Sequence, residues 1–423
     1  MAAAAAAALA LCLFAAAATC AGAQSLPPPP PPKAYDDISS CLLSNGVSNF
    51  SLPSSPSYTP LLDASIRNLR FELPGVGKPA AVILPASKRD LRRAVLCARG
   101  ASLAIRVRSG GHSYEGLSYT TENHVPFAVI DLANLNRVRV DPGSATAWAE
   151  SGATLGEVYR AYVGPSLPDE FYLSTYIPTG SSNGNLSMSF TGQVLGPKHL
   201  AMSVLNQTFP ELGLAESELS EVSWLESAVK FAGLSSVADL TNRQPGAGEY
   251  AKRKSDYVQA PISTQDTIKI LRYMSSGPPG SIQLDPYGGA MARIGSTATP
   301  FPHRAGYLYS IQYAVSWNAS DLDRAEERIG WLRSFYGFMS RYVSKHPRGA
   351  YVNYLDLDLG TNDWANATGG TSNESVARAA ASWGERYFFT NFDRLVRAKT
   401  KADPENVFNN AQSIPPLRYD REH

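Results

Sequence analysis

The chain has 423 residues, enough for large hydrophobic cores and for two domains, and its formal net charge is +1. A near-neutral chain without a run of lysine or arginine lacks the charge signature of nucleic-acid binding, so we expect no nucleic-acid partner. Beyond its N-terminal segment no stretch is long and apolar enough to predict a membrane span.

Residues 1–23 are alanine-rich and apolar and end on the small-x-small pattern Ala21-Gly22-Ala23. This pattern predicts a cleaved secretory signal peptide and therefore a secreted protein, extracellular or in the cell wall. The segment has no positive charge near its start, and an N-terminal membrane anchor is the alternative. The proline run at residues 27–32 favours the signal peptide, because it follows at once.

Loss of the signal leaves Cys41 and Cys97 as the cysteines of the mature chain. In an oxidising compartment two cysteines most simply form one disulfide, and two free buried thiols are the alternative. Asn-x-Ser/Thr sequons predict surface glycans. They begin at Asn49, Asn185, Asn206, Asn318, Asn366 and Asn373.

After a polar, proline-rich entry over residues 24–60, apolar runs alternate with an amphipathic helical pattern. Strands are predicted at residues 80–84, 103–105, 128–132 and 146–150, and a helix at residues 88–98. This β/α alternation lacks the G-x-G-x-x-G turn of a Rossmann domain.

The string RVRSGGHSYEG, residues 106–116, follows the second of these strands. Its adjacent glycines, Gly110 and Gly111, allow a backbone turn to approach a phosphate closely. Arg106 and Arg108 precede them and could balance phosphate charge. His112 stands at the edge of this turn. A phosphate-binding turn and a buried turn with a surface histidine both fit the string taken alone.

The second half of the chain predicts strands at residues 185–190, 281–285 and 307–315. Helices are predicted at residues 200–209 and 325–342, and a long helical pattern runs from 375 to 399. Asp356 and Asp358 alternate with leucine on a predicted strand, so we expect structural carboxylates there. The polar tail, residues 403–416, is expected to be docked. The histidine spacing predicts no metal site.

Eight strings occur in a characteristic order. They are RSGGHSYEGLSY (108–119), SGATLG (151–156), FPELGL (209–214), KSDYV (254–258), PYGG (286–289), PFPHR (300–304), YVNYLDLDLG (351–360) and QSIPP (412–416). On these strings the chain closely resembles the plant berberine bridge enzyme-like FAD-linked oxidases. These enzymes belong to the vanillyl-alcohol oxidase/p-cresol methylhydroxylase (PCMH) superfamily.

The resemblance implies an α+β fold with two domains. A PCMH-type FAD-binding domain would span residues 61–166, after an N-terminal arm at 24–60. A substrate domain, with an antiparallel sheet over the flavin and flanking helices, would span residues 167–374. Residues 375–423 would then return to the FAD domain. The resemblance also supports a disulfide between Cys41 and Cys97.

The resemblance further implies that His112 bonds covalently to the flavin 8α-methyl carbon and that residues 108–112 line the pyrophosphate. The implied cofactor-binding set is Arg108, Ser109, Gly110, Gly111, His112, Ser113, Tyr114 and Gly116. Tyr354 matches the family's catalytic base, and Gln312 is a hydrogen-bonding partner in the site. Many plant members carry a lysine two residues before that glutamine, where this chain has Ser310. Activation of Tyr354 therefore needs another source.

An internal segment of the family's FAD domain is expected to be missing, because residues 157–166 lead straight into a string of the substrate domain. The second cysteine that links flavin in the family lies in that segment, so His112 would make the single covalent link. One hypothesis is a secreted FAD-dependent oxidase of alcohols, carbohydrates or phenols, with molecular oxygen or another electron acceptor. The other is a flavin-free remnant, inactive or acting as a binding protein.

Overall fold

The computed structural model describes residues 32–121, 125–141, 146–153, 171–180, 187–208, 213–242, 248–362, 364 and 373–417. The predicted signal peptide and the sequons at Asn185 and Asn366 lie outside these ranges. No helix within them has the length and apolar character needed to cross a membrane. The architecture is mixed α+β, as predicted, with two sheets that each carry helices.

The first sheet has four strands in the order β1–β2–β4–β3. Strands β2 and β3 run parallel to β4, and β1 is antiparallel to β2. The strands are β1 (Phe50–Ser51), β2 (Ala81–Ile83), β3 (Ala104–Arg108) and β4 (Phe127–Asp131). The helices are α1 (Pro32–Ser44), α2 (Tyr58–Asp63) and α3 (Lys88–Gly100). The predicted strands and helix of this region are therefore confirmed, whereas α1 lies in a segment for which no helix was predicted.

Helix α3 begins where the sequence supplies a cap, since the Ser87 side chain accepts a hydrogen bond from the Asp90 amide. Its apolar face, with Ala94 and Cys97, packs into the core around β2 and β4. Cys97 forms a disulfide with Cys41 of α1, with a Cα–Cα distance of 5.6 Å. The predicted pairing is confirmed, and it fixes the N-terminal helix to the first sheet.

A hairpin of β5 (Val138–Asp141) and β6 (Thr146–Ala149) precedes the second sheet. That sheet is antiparallel throughout, in the order β8–β7–β10–β11–β9. Its strands are β7 (Phe171–Thr179), β8 (Ser189–Val194), β9 (Tyr250–Val258), β10 (Gly280–Pro286) and β11 (Tyr309–Trp317). The sequence had predicted β10 and β11, had placed β8 too early, and had given no strand at β7 or β9.

The two faces of the second sheet differ in polarity because successive side chains point to opposite sides. The apolar face, including Ile282, Ile311 and Tyr313, packs against helices α6 and α8. The helices of this region are α4 (Lys198–Thr208), α5 (Trp224–Phe231), α6 (Thr264–Ser275), α7 (Gly289–Arg293) and α8 (Ala325–Met339). We call the opposite side the polar face; it comprises Tyr172, Ser174, Gln283, Asp285, Ser310 and Gln312.

The long helical pattern near the C-terminus forms two helices rather than one, α9 (Asn373–Phe388) and α10 (Asn391–Ala402). The chain breaks at Phe389, which has a left-handed φ of 48°. Phe392 then packs against Trp383, with ring centroids 5.8 Å apart. The tail is docked as predicted, since Gln412 donates hydrogen bonds to the carbonyls of Asp356 and Gly360 at 2.9 and 2.6 Å.

The prediction of a strand through Asp356 and Asp358 was wrong. Single 3-10 turns occupy Val352–Tyr354 and Leu357–Leu359 instead. The Asp356 carboxylate accepts a hydrogen bond from the Asp358 amide at 3.1 Å. This local bond satisfies a backbone group that a strand would pair across a sheet, which explains why period-two alternation misled the prediction.

Candidate functional site

The turn at residues 109–116, the glycine turn, leaves β3 in a conformation that requires glycine at two positions. Gly111 has φ +69°, and a Cβ there would lie 2.5 Å from Ser65 Cβ. Gly116 has φ +67°, and a Cβ there would lie 2.8 Å from the Phe71 ring. The Gly116 amide donates to the Ser113 carbonyl at 3.2 Å, which closes the turn. Both positions are thus restricted to glycine by the backbone conformation and by close protein neighbours.

The glycine turn contacts the loop that follows β6. The Ser109 hydroxyl donates a hydrogen bond to the Ser151 carbonyl, and Ser151 begins the second of the characteristic strings. A Cβ on Gly152 would lie 1.7 Å from the Leu132 carbonyl oxygen, so this neighbour also requires glycine. Two strings far apart in the sequence therefore meet at one place.

His112 has an accessible imidazole that folds back over the turn. A Cβ on Gly110 would lie 2.4 Å from the His112 ring, so the ring occupies space that the missing side chain leaves. Partial desolvation, and after it the Arg67 guanidinium, lower the pKa of His112. The ring is therefore neutral at pH 7 and one nitrogen carries a free lone pair, as a covalent attachment would need.

The structure gives both arginines before the turn protein partners, so the prediction that their guanidinium groups balance phosphate charge needs correction. Arg108, 1% exposed, pairs with Asp131 at 2.7 Å and donates to the carbonyls of Leu61 and Leu62. Arg106 donates to the carbonyls of Thr120 and Asn409. Both side chains hold the end of β3 from inside, because α2 and the C-terminal tail bring backbone carbonyls close to them.

Tyr114 extends from the glycine turn to the polar face. The Gln312 amide donates to its hydroxyl at 2.8 Å, and the Arg253 guanidinium lies 4.7 Å from its ring centroid. Its ring lies 5.6 Å from that of Tyr354. Three predicted site residues from separate parts of the chain are thus brought together here. Burial raises the pKa of Tyr114, so its hydroxyl is protonated at neutral pH.

Tyr354 lies in the loop of residues 351–360, the tyrosine loop. Its ring packs on Tyr351 at 4.9 Å. Burial raises the pKa of Tyr354, and the neighbouring Tyr114 and Asp285 raise it further. Ser310 stands where many members of the resembled family carry a lysine, whose charge would favour ionisation of Tyr354. Burial and these neighbours therefore keep the Tyr354 phenol protonated at neutral pH.

Sequence reasoning missed Asp285, a half-buried carboxylate on β10. One of its oxygens accepts three hydrogen bonds, from the Tyr172 hydroxyl at 2.7 Å, the Ser174 hydroxyl at 2.9 Å and the Gln283 amide at 3.0 Å. Ser310 is its register partner on β11. The sequence signal was the alternation of polar residues along β10. Only the pairing of β10 with β7 brings Tyr172 and Ser174 to the Asp285 carboxylate.

Behind the tyrosine loop lies a network of buried charges. The Lys252 ammonium contacts Glu115 of the glycine turn and Asp356. Lys254 contacts Asp356 at 2.6 Å and Asp358 at 2.7 Å. Burial alone would raise the pKa of Asp358, but hydrogen bonds from Arg333 and Lys254 hold it well below its usual range. The prediction that Asp356 and Asp358 are structural carboxylates is confirmed.

His303, in the string PFPHR, belongs to a buried aromatic cluster. It is 0% exposed and stacks on Tyr257 with ring centroids 3.9 Å apart. Its Nε2 hydrogen-bonds the Ala350 carbonyl at 3.1 Å. Burial lowers the pKa of His303 to about 3. These contacts favour the structural role.

Replacing His303 by phenylalanine should make folding less sensitive to acid. An unfolded histidine binds a proton below its ordinary pKa of about 6.5, whereas the folded one stays neutral down to about pH 3. Wild-type stability therefore falls as the pH drops through this window. We expect the unfolding free energy of the wild type, measured by urea unfolding relative to His303→Phe, to fall by about 2 kcal/mol between pH 7 and pH 4.5. Parallel curves would contradict a neutral buried histidine.

Two family models match this chain, one toward each end. Residues 79–192 match the family model "FAD binding domain", and residues 350–415 match "Berberine and berberine like". A reticuline oxidase of Eschscholzia californica is 35% identical over 90% of this chain and 92% of its own length. That alignment runs over 502 positions, more than the chain has residues, so it contains a long gap on the side of this chain.

Solved structures resemble the fold closely. The berberine bridge enzyme of Eschscholzia californica superimposes with a TM-score of 0.82 at 33% identity, covering 91% of this chain and all of that one. Phl p 4, a grass pollen allergen with glucose dehydrogenase activity, gives a TM-score of 0.78 at 29% identity over 90% of this chain and all of its own. The cofactor of this fold is FAD. The chain therefore belongs to the plant berberine bridge enzyme-like family of FAD-dependent oxidoreductases.

Proposed function

We propose that the chain is a secreted oxidase that takes a hydride from a hydroxyl-bearing small molecule, an alcohol, a carbohydrate or a phenol. Electrons then pass to molecular oxygen or another acceptor. The observation that carries the proposal is the meeting of the glycine turn, Tyr114, Tyr354 and Gln312 beneath the polar face. The disulfide and the exposed sequons at Asn49, Asn206 and Asn318 support secretion.

The residues present fit a flavin. A missing side chain at Gly110 lets the His112 ring fold against the turn, and one at Gly111 lets the turn lie close to Ser65. The backbone N–H groups of this turn would hold the pyrophosphate, with Ser109, Ser113 and Gly116 in the same turn. The accessible neutral imidazole of His112 would hold the covalent link. When bound, FAD supplies the hydride acceptor. Arg108 would contribute to flavin binding indirectly, because its ion pair with Asp131 fixes the end of β3 from which the glycine turn begins.

On the substrate side, the side chains of Tyr354, Tyr114 and Asp285 would bind and orient a substrate hydroxyl. Tyr354 would take the substrate's hydroxyl proton as general base in its ionised, phenolate form, which its raised pKa makes a minor species at neutral pH. Gln312 holds Tyr114 in place, and Asp285 presents a carboxylate oriented by three donors at the same face. A polar face with aromatic rings suits a small polar substrate. Reticuline and glucose are substrates of relatives, and they illustrate the range that such a site accepts.

The second candidate function is a flavin-free remnant that is inactive or acts as a binding protein. The long gap in the alignment with reticuline oxidase favours it, because much of a flavin's surroundings would lie in the missing segment. The two candidate functions predict different visible spectra, because an oxidase with bound FAD is yellow and a flavin-free protein is colourless.

We expect purified wild-type protein to be yellow and to keep its flavin absorbance in the pellet after acid precipitation. In His112→Ala the flavin should move to the supernatant, because no covalent bond holds it. His199→Ala, at an exposed position on α4, serves as the control and should keep the flavin in the pellet. A colourless wild type that also fails to bind added FAD would favour the flavin-free protein.

A further inference from the structure

The Lys252 side chain connects the two loops that carry the candidate site. It is 4% exposed, and its ammonium contacts Glu115 in the glycine turn and Asp356 in the tyrosine loop, the latter at 3.1 Å. Glu115 directly follows Tyr114, and Asp356 lies two residues after Tyr354. We propose that Lys252 is a positioning residue that fixes the spacing of Tyr114 and Tyr354 by pairing with a carboxylate from each loop.

The backbone of each loop has a separate attachment. Asn68 donates to the Tyr114 carbonyl at 3.0 Å and to the Ala251 carbonyl at 2.9 Å. Gln412 donates to the Asp356 carbonyl from the C-terminal tail. Within the described part of the chain, the hydrogen bonds of each of these amides reach one of the two loops and not the other. Each loop therefore has its own anchor, and the buried cation joins one loop to the other.

The ion pairs of Lys252 with Glu115 and Asp356 keep the buried ammonium charged. Burial alone would lower the pKa of Lys252, but the charges of Glu115 and Asp356 raise it above the ordinary value. The ammonium is therefore charged wherever the two carboxylates are ionised. Because all three groups are nearly excluded from water, removing one leaves a buried charge without its partner, and the attached loop must move or open to water.

Lys254 provides a matched comparison on the same strand. It is 2% exposed and two residues further along β9, so it projects from the same side. It contacts Asp356 and Asp358, both in the tyrosine loop. Across the described ranges its ion pairs include none with the glycine turn. Loss of either lysine removes a buried cation. Of the two, we expect only the loss of Lys252 to uncouple the glycine turn from the tyrosine loop.

The test is hydrogen–deuterium exchange of the purified full chain, read on peptides over residues 109–121 and 351–360. In Lys252→Met both segments should exchange about tenfold faster or more. In Lys254→Met only the second segment should change. Lys252→Arg, which keeps a cation, should restore slow exchange in both. Unchanged exchange over residues 109–121 in Lys252→Met, or equal acceleration there in Lys254→Met, would overturn the proposal.

Glu115→Gln tests the link from the other side and keeps the Lys252–Asp356 pair, so it answers the question if Lys252→Met does not fold. It should speed exchange over residues 109–121 and leave α9 and α10 unchanged. Uniform acceleration in all segments would indicate loss of global stability and reject the positioning role. The role in catalysis rests on the proposed function, but the exchange readout needs neither flavin nor substrate. A colourless wild type with the expected exchange pattern would therefore reject the oxidase and keep the link.

Discussion

Arg108→Met should be among the most destabilising single changes in the protein, lowering the unfolding free energy by about 3–5 kcal/mol. The substitution leaves the buried Asp131 carboxylate without its cation and the carbonyls of Leu61 and Leu62 without their donor. Methionine fills a similar volume, so the loss reports charge and hydrogen bonding. The measurement is urea unfolding at pH 7, with the midpoint and the denaturant slope of the variant compared with those of the wild type.

Two further variants separate the buried charge from the lost contacts. Arg324→Met removes an arginine whose partner Glu327 is also exposed, so it should cost less than about 1 kcal/mol. Arg108→Met combined with Asp131→Asn should recover part of the loss, because the uncompensated charge is gone while the Ala133 amide keeps its acceptor. A double variant no more stable than Arg108→Met would refute the charge as the cause. A single variant within 1 kcal/mol of wild type would refute the bracing role itself.

The residues whose position depends on local rules were predictable from the sequence. An amphipathic stripe predicted α3, and short apolar runs predicted β2, β3 and β4. The glycine turn was predictable because two adjacent glycines, Gly110 and Gly111, follow a predicted strand. Arg108 could not be assigned in this way. A positive charge next to the turn suggested a phosphate ligand, whereas the tertiary structure brings Asp131 and two backbone carbonyls to the Arg108 guanidinium.

The rest of the candidate site depends on contacts between distant segments. β9 carries lysines that a sequence pattern reads as solvent-exposed, yet both are buried because Glu115 and two aspartates meet them there. Asp285 became visible only when β7 and β10 paired. Such ion pairs span more than a hundred residues of sequence, and no periodicity encodes them. The family motifs located Tyr354, whereas the charges that set its pKa came from the tertiary structure.

Tyr354→Phe should reduce kcat by about 10²–10⁴ without a comparable change in substrate binding, since the phenol would act as general base in the step that breaks the C–H bond. The assay is oxidation of the best substrate from a screen of sugars, alcohols and phenolic allylic alcohols. Tyr351→Phe is the matched control, because its ring packs on Tyr354 and its hydroxyl accepts from Asn353 at 2.8 Å. We expect a loss of less than about tenfold there. Equal losses would assign the effect to packing.

The pH dependence gives this prediction its sharper form. A base acts when deprotonated, and burial with Asp285 and Tyr114 nearby raises the pKa of Tyr354 above that of free tyrosine. At neutral pH the ionised fraction is then below about one in a thousand, so wild-type kcat/KM should rise about tenfold per pH unit and reach no plateau below about pH 10. Asp285→Asn removes one of the charges that oppose ionisation, so it should shift the rising limb to lower pH. A plateau near pH 7 in the wild type would mean that another group takes the proton, and that Tyr354 orients the substrate as a hydrogen-bond donor.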